Sequence, residues 1–303
     1  MPRSLGTAVA ALCVALAWAG TWIVGKLAVT AVPPLELSAV RFIIASLALF
    51  LIARATRTPL RIRGLPLIAL SAVFGYVLYN ALVFVGLTLA PASDGALIVP
   101  TITPVATAVI AAFAGERLTS GKIAGFALAS VGAAVVITAG AASAAFSAGR
   151  IVGDLLMLAG ALSWSVYTML GTVTLRGRSP LEVITLASPI GALLLLPLGL
   201  FEKGYADVPT WDPRVWLGVL YLAIVVNAMS FTVFYWVVRR VGASLAAMSS
   251  YFVPVITLVL AVTLLGERPA PLQLVGALVI LAGVRLATRG ARAAEVVESA
   301  RVA

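Results

Sequence analysis

No histidine occurs anywhere in the 303 residues, and cysteine occurs once, at Cys13. Histidine supplies many zinc ligands and much of the acid–base catalysis near neutral pH, so both chemistries are excluded or nearly so. A lone cysteine in an apolar run leaves no disulfide framework and no Cys-His metal pattern. Charge is scarce as well: 11% of residues are charged, where a soluble domain carries about a quarter. No Asp or Glu falls deep inside an apolar run. The intramembrane carboxylate that proton-coupled exporters of cationic drugs use is therefore missing, and so are the paired groups an intramembrane enzyme would need. No catalytic residue, metal site or cofactor is expected.

What is present is apolar. Hydrophobic residues make up 62% of the chain, and the mean hydropathy is +1.12. Many runs approach or exceed the roughly 20 residues that span a bilayer's hydrocarbon core. The sequence therefore reads as an all-α polytopic protein whose immediate surroundings are membrane lipid. A net charge of +10 would suggest nucleic acid in a soluble protein. Here Lys and Arg cluster in short loops, where they set orientation instead, so no nucleic-acid partner is implied, and no obligate protein partner either. The first apolar run, from about Leu5, is read as a retained span and not as a signal peptide.

Turn signals and charges predict ten transmembrane helices near 5–29, 35–53, 65–87, 93–114, 119–138, 152–175, 181–201, 214–239, 243–265 and 270–288. Breaks fall at Val32-Pro33-Pro34, Ala90-Pro91, Gly115, Gly242 and Pro269 to Pro271, among others. With both termini inside, cytoplasmic segments hold fifteen of the 21 Lys and Arg and external segments four. That is a strong positive-inside signal.

The chain also repeats itself. Ala15-Leu16-Ala17-Trp18 and Pro34-Leu35-Glu36 recur 146 residues later as Ala161-Leu162-Ser163-Trp164 and Pro180-Leu181-Glu182. A mid-helix proline followed by Gly115-Glu116-Arg117 recurs as Pro254 followed by Gly266-Glu267-Arg268. Each half holds five helices, and an odd number makes the second half enter the membrane from the opposite side. The expected organisation is a first five-helix repeat at 1–138, a linker at 139–150, a second, inverted repeat at 151–290, and a mobile cytoplasmic tail at 291–303. Inverted repeats mark alternating-access transporters, with the solute site near the midplane between them.

The paired Ala-Leu-x-Trp and Pro…Gly-Glu-Arg…Gly…Gly elements, in this 5+5 arrangement, resemble the drug/metabolite transporter superfamily, EamA family, over about residues 8 to 288. The resemblance implies a bacterial plasma-membrane (inner-membrane) exporter of small metabolites. Amino-acid exporters, including those for aromatic amino acids, are a prominent branch. Ser250-Tyr251-Phe252-Val253-Pro254-Val255 is similar to the corresponding segment of those exporters.

Depth selects candidate solute contacts. Trp211, Trp216 and Trp236 fall near helix ends, as interfacial tryptophans do, whereas Trp18 and Trp164 fall mid-helix and are repeat mates. Trp164, Tyr167, Thr168 and Gly171 share one helical face, as do Trp18 and Trp22. Aromatic and hydroxyl stripes suit a cavity for an amphipathic or ring-bearing solute. Tyr76, Tyr79, Asn80 and Asn227 must face the protein interior, because an unpaired amide in lipid costs several kcal/mol. Pro104 and Pro254 interrupt their helices and free the carbonyls of Pro100 and Ser250. Thr101, Thr103, Ser249, Ser250 and Tyr251 offer hydroxyls nearby; Thr101, Ser250 and Tyr251 count among the candidate contacts, and the two prolines are candidate hinges. Glu116-Arg117 and Glu267-Arg268 read as helix-end caps, and Asp154 as a helix-dipole complement. Lys26 and Arg41 read as snorkelling to the outer interface, with attraction of a substrate carboxylate as a second role for Lys26. The predicted cavity is lined by the first, third, fourth, sixth, eighth and ninth helices. The expected cargo is amino acids or similar metabolites, moved without proton coupling; the alternative is drugs or lipophilic cations, held by cation–π contacts.

Overall fold

A computed structural model describes residues 2–113, 120–141, 147–241, 246, 252–283 and 285–286. The helices are α1 (Pro2–Val29), α2 (Pro34–Ala55), α3 (Leu65–Leu89), α4 (Ala92–Phe113), α5 (Ser120–Ala141), α6 (Ala148–Thr174), α7 (Pro180–Leu200), α8 (Pro213–Arg240), α9 (Phe252–Leu265) and α10 (Pro271–Gly283). Local chemistry starts several of them. Pro34, Pro180, Pro213 and Pro271 stand at the first helical position, where a missing N–H breaks no bond. Ser147, Ser179 and Asp212 cap α6, α7 and α8, accepting from the backbone N–H of Arg150 (3.2 Å), Glu182 (3.1 Å) and Arg214 (2.7 Å).

Seven helices are long and apolar enough to cross a membrane: α1 (over Val9–Val29), α2, α3, α4, α6, α7 and α8. Helices α9 and α10, and Ile123–Gly132 within α5, are shorter apolar pieces. The segments 114–119, 242–245 and 247–251 next to α5 and α9 lie outside the described residues, as do Glu116-Arg117, Ser249, Ser250, Tyr251 and the expected tail at 291–303. The bundle's perimeter is itself apolar: Leu47, Leu193, Leu217 and Leu278 are each more than 60% exposed. Polar contacts gather at the two ends and along the axis.

The most extensive helix pair is α2 with α7, followed by α6 against both α4 and α3, while α9 packs on α1 and α4. The α2–α7 pair is held reciprocally. Glu36, in the first turn of α2, accepts the Lys203 N–H just past the end of α7 (2.9 Å). Glu182, in the first turn of α7, accepts the Arg61 N–H in the loop after α2 (3.1 Å), together with Arg61 Nη2 (2.8 Å) and Arg178 Nη1 (2.8 Å). Pairing with Glu182 holds the Arg61 guanidinium above its usual range. On the Glu36 side, Glu202 accepts the N–H groups of Leu35 and Glu36 at 2.9 and 3.1 Å. Burial raises the Glu202 carboxyl above the usual carboxylate range against those donors, and nearby Glu36 adds to the effect.

Helices α3 and α8 each loosen into π turns, at Val73–Leu78 and Tyr221–Ser230. A π turn shifts the hydrogen-bond ladder and commonly accompanies a functional site. Asn80 mends the first one from its own side chain, donating Nδ2 to the carbonyls of Gly75 (3.1 Å) and Tyr76 (2.8 Å). Asn227, 147 residues later, lies in the second and donates to Ser188 Oγ on α7 (3.2 Å). Gly75 lets α6 approach: a Cβ there would run into the Tyr167 ring.

Candidate functional site

The axial cavity lies where α1, α3, α4, α6, α8 and α9 converge, with α2 closing one wall. Helix α1 contributes Trp18, Thr21 and Trp22; α2 contributes Arg41; α3 contributes Tyr79, Asn80 and Phe84; and α4 contributes Val99, Pro100 and Thr103. Trp164 enters from α6, Val226 and Phe231 from α8, and Val253 from α9. About 50 Å³ of the cavity is open to water centres, room for a few waters. The walls must part to admit a larger solute.

Trp164 is the hub. Its ring meets Tyr79 at 4.8 Å, Phe231 at 5.0 Å and Trp18 at 5.5 Å, the last edge-on at 88°. The Trp18 indole N–H is satisfied by Ser230 Oγ at 3.0 Å, which leaves its ring face for apolar contact. Trp22 fits against α4 because residue 95 is glycine; a Cβ there would collide with the indole. Across the cavity, repeat-related residues stand as pairs: Trp18 with Trp164, 146 apart, and Tyr79 with Val226 and Phe84 with Phe231, each 147 apart.

Five of the candidate solute contacts line this cavity: Trp18, Trp22, Tyr79, Asn80 and Trp164. Others sit behind them. Tyr76 packs on Phe42, Tyr167 and Phe231, and Tyr167 stacks on Tyr235 at 5.1 Å. Thr168 donates to the Trp164 carbonyl (2.9 Å), and Asn227 is engaged with α7. Thr101 turns back to the carbonyls of Leu97 and Ile98, and Thr103 to that of Val99, so neither serves the carbonyl freed by Pro104. Of the candidate hinges, Pro104 is part-buried within α4 and Pro254 is buried in α9.

Arg41 departs most from its sequence reading. It does not snorkel: it is 2% exposed and faces the cavity. Nη2 donates to Asn80 Oδ1, and the guanidinium carbon lies 4.6 Å over the Phe42 ring and 4.2 Å over the Phe84 ring. Lys26, part-buried, reaches the end of the bundle. It donates to the carbonyls of Leu87 (2.7 Å) and Ala90 (2.9 Å), tying α1 to the end of α3 outside the cavity. Thr21, Phe84, Val226 and Phe231 were not singled out in the sequence. A phenylalanine in an apolar helix carries no polar mark, although Phe84 and Phe231 repeat at the spacing of Asn80 and Asn227.

At the end of the bundle that holds Lys26, the acidic residues are structural and cross-linking. Glu267 caps a helix other than its own: its carboxylate accepts the Ala92 and Ser93 N–H groups of α4 at 2.9 and 3.0 Å. Asp94, 1% exposed, accepts Arg150 Nε (2.7 Å), Arg150 Nη2 (3.0 Å) and Gln273 Nε2 (2.8 Å), joining α4, α6 and α10. Asp154 is more than a dipole complement: it is buried beside Asp94 and Arg150, and its Oδ1 has no partner. None of these carboxylates lines the cavity. Among the described residues no group of side chains could hold a metal ion.

The model of the EamA-like transporter family matches residues 5–138 and again 151–289. A probable terminal-alkyne amino-acid exporter of Streptantibioticus cattleyicolor is 35% identical over 257 residues, covering 84% of this chain and 83% of that one. An uncharacterized transporter of Archaeoglobus fulgidus is 29% identical, covering 90% and 94%. A probable amino-acid metabolite efflux pump of Escherichia coli is 27% identical, covering 94% and 95%. A solved structure titled only as the crystal structure of a protein superposes with a TM-score of 0.69 at 25% identity, covering 96% of this chain and 99% of its own.

Proposed function

We infer the activity from a plain premise: this chain belongs to the EamA-like transporter family. It is a multi-pass membrane transporter of small molecules, seated in the plasma membrane, and not an enzyme. We propose that it exports amino acids or related small metabolites by alternating access. The observation that carries this is the axial cavity, walled by Trp18, Trp22, Tyr79, Trp164 and Phe231 where three repeat-paired sets of helices meet, α1 with α6, α3 with α8 and α4 with α9. The names of the relatives from Streptantibioticus and Escherichia support the amino-acid class.

The proposed frame is two inverted five-helix repeats with both termini inside. The family model's two matches support it, as do the reciprocal Glu36 and Glu182 contacts and the paired π turns. In that frame Glu182, Arg61 and Arg178 lie at the cytoplasmic face, and Glu36, Lys26 and Glu267 at the external face. The external end is tied shut by Glu267, Lys26 and Asp94. The two halves rock about the cavity, with Pro104 and Pro254 as hinges. Pro254→Ala should change the exchange rate more than the apparent affinity for solute; equal changes in both would remove the hinge from the scheme.

Among the described residues no carboxylate lines the cavity to trade a proton for solute, so the proposed carrier runs down the solute gradient without proton coupling. Lipophilic cations fit less well than amino acids, because the one charged lining residue among the described residues is a cation, Arg41. The test is counterflow in proteoliposomes with a panel of labelled amino acids and quaternary ammonium compounds. Exchange of amino acids without an imposed pH gradient is expected. Exchange of the ammonium compounds alone would overturn the cargo, and exchange that stalls without a pH gradient would overturn the coupling.

A further inference from the structure

Arg41 carries a charge that the protein itself does not neutralise. It is almost fully buried, on a membrane-spanning helix, and its one hydrogen-bond partner among the described residues is the neutral amide of Asn80. No carboxylate among the described residues pairs with it. Its Nε–H is buried without an acceptor. Asp94 is matched by Arg150, and Glu182 by Arg61 and Arg178, whereas the buried Glu36 accepts a backbone N–H and the buried Asp154 lies beside Arg150. An intramembrane cation without a counter-charge is expensive and marks a functional position by default. The phenyl faces of Phe42 and Phe84 hold the guanidinium in place without cancelling its charge.

Position argues the same way. Arg41 reaches the cavity that holds Trp18, Trp22 and Trp164. The position 146 residues on, which pairs Trp18 with Trp164 and Glu36 with Glu182, holds Ala187. A residue needed to pack or bend each half would have a mate, whereas a group that reads one end of an asymmetric solute needs none. Asn80 sets the guanidinium's orientation, being itself anchored to the π turn through Gly75 and Tyr76.

We propose that Arg41 is the anion-binding residue of the cavity, receiving the carboxylate of the transported solute while the tryptophans and Phe84 surround its apolar part. The guanidinium fork matches a carboxylate and supplies charge-assisted hydrogen bonds. The assignment rests on the reading of the cavity as the solute site, and it narrows the cargo to small molecules that carry a carboxylate.

Four probes sharing one ring separate the possibilities: L-phenylalanine, phenylalanine amide, phenethylamine and 3-phenylpropionate. Binding is read by quenching of cavity tryptophan fluorescence in the purified full-length protein, and exchange by counterflow. The two acids should bind wild type at about millimolar concentration or below, and Arg41→Gln should weaken both by at least about tenfold while the amide and the amine, which are cations, bind at least as well as before. Asn80→Asp is the second variant. It gives Arg41 an internal counter-charge that competes with the solute. Because it also removes the Nδ2 donor to the Gly75 and Tyr76 carbonyls, retained binding of the amide and the amine reports that the cavity is intact. Against that control the same selective loss of the acids is expected.

Acid binding that survives either variant, equal loss for all four probes, or no acid binding by wild type would overturn the assignment. The two readings fail separately. Amino-acid exchange undiminished in Arg41→Gln would leave the export reading standing without Arg41. Arg41-dependent binding of 3-phenylpropionate with no amino-acid exchange would leave Arg41 standing and remove amino acids as cargo.

Discussion

Replacing Trp164 by alanine should lower solute exchange at least about tenfold, the share of binding that a buried aromatic anchor commonly carries. The reason is geometric. Trp164 touches Tyr79, Tyr167, Phe231, Phe234 and Trp18, so one side chain joins the aromatic surfaces of α1, α3, α6 and α8. Truncation opens the wall and removes the ring on which an amphipathic solute would lie. The substitution also empties a packed site, and Trp→Ala in a core costs about 3–5 kcal/mol. Trp164→Phe separates the two effects, because it keeps an aromatic surface and most of the packing. Counterflow rates normalised to inserted protein should fall in the order wild type, Trp164→Phe, Trp164→Ala, and Tyr79→Ala should also be impaired. Unchanged kinetics in both alanine variants would show that solute binds elsewhere.

A loss of stability of the same size should come from Asp94→Ala. Asp94 is 1% exposed and makes two bonds to Arg150 and one to Gln273. Removing one partner of a buried ion pair costs about 3–5 kcal/mol, because a charge loses its closest counterpart without regaining water. The same substitution unties α4 from α6 and α10, so the end of the bundle that Asp94 helps close should open more often. Two readouts follow: a lower unfolding midpoint in mild detergent, and faster labelling of a cysteine placed at Ser93 in a Cys13→Ala background. Asp94→Asn, which keeps the shape and one acceptor, should fall between. A loss under about 1 kcal/mol, the range of an exposed pair, would mean that the network does not lock this end.

The comparison of sequence and structure separates two kinds of information. Most of the helices were legible because they depend on local rules: apolar run length, and proline or glycine at the breaks. The mid-helix tryptophans were legible because the repeat marked them. Asn80 was half legible. Its depth showed that it must find a partner, but not that it would bond the Gly75 and Tyr76 carbonyls and Arg41 together. Glu267 read as a cap, but which helix it caps depends on α4 lying beside the end of α9. Arg41 was misread. An arginine two turns from a helix end has the same local sequence whether it climbs to the interface or turns inward, and only the surface opposite chooses.

By itself, then, the sequence determined the helical membrane class, the doubling of the chain, the absence of histidine, and the aromatic character of the cavity. Those are matters of composition, period and spacing, written along one dimension. The tertiary structure decided which polar groups meet: Arg41 with Asn80 and not with a carboxylate, Asp94 with Arg150 and Gln273, Lys26 with the end of α3. The partners of Arg41 and Lys26 are 39 and 61 residues away, and those of Asp94 are 56 and 179. A buried polar group is satisfied by whatever packing brings to it, and packing between distant helices is not a property of either segment alone.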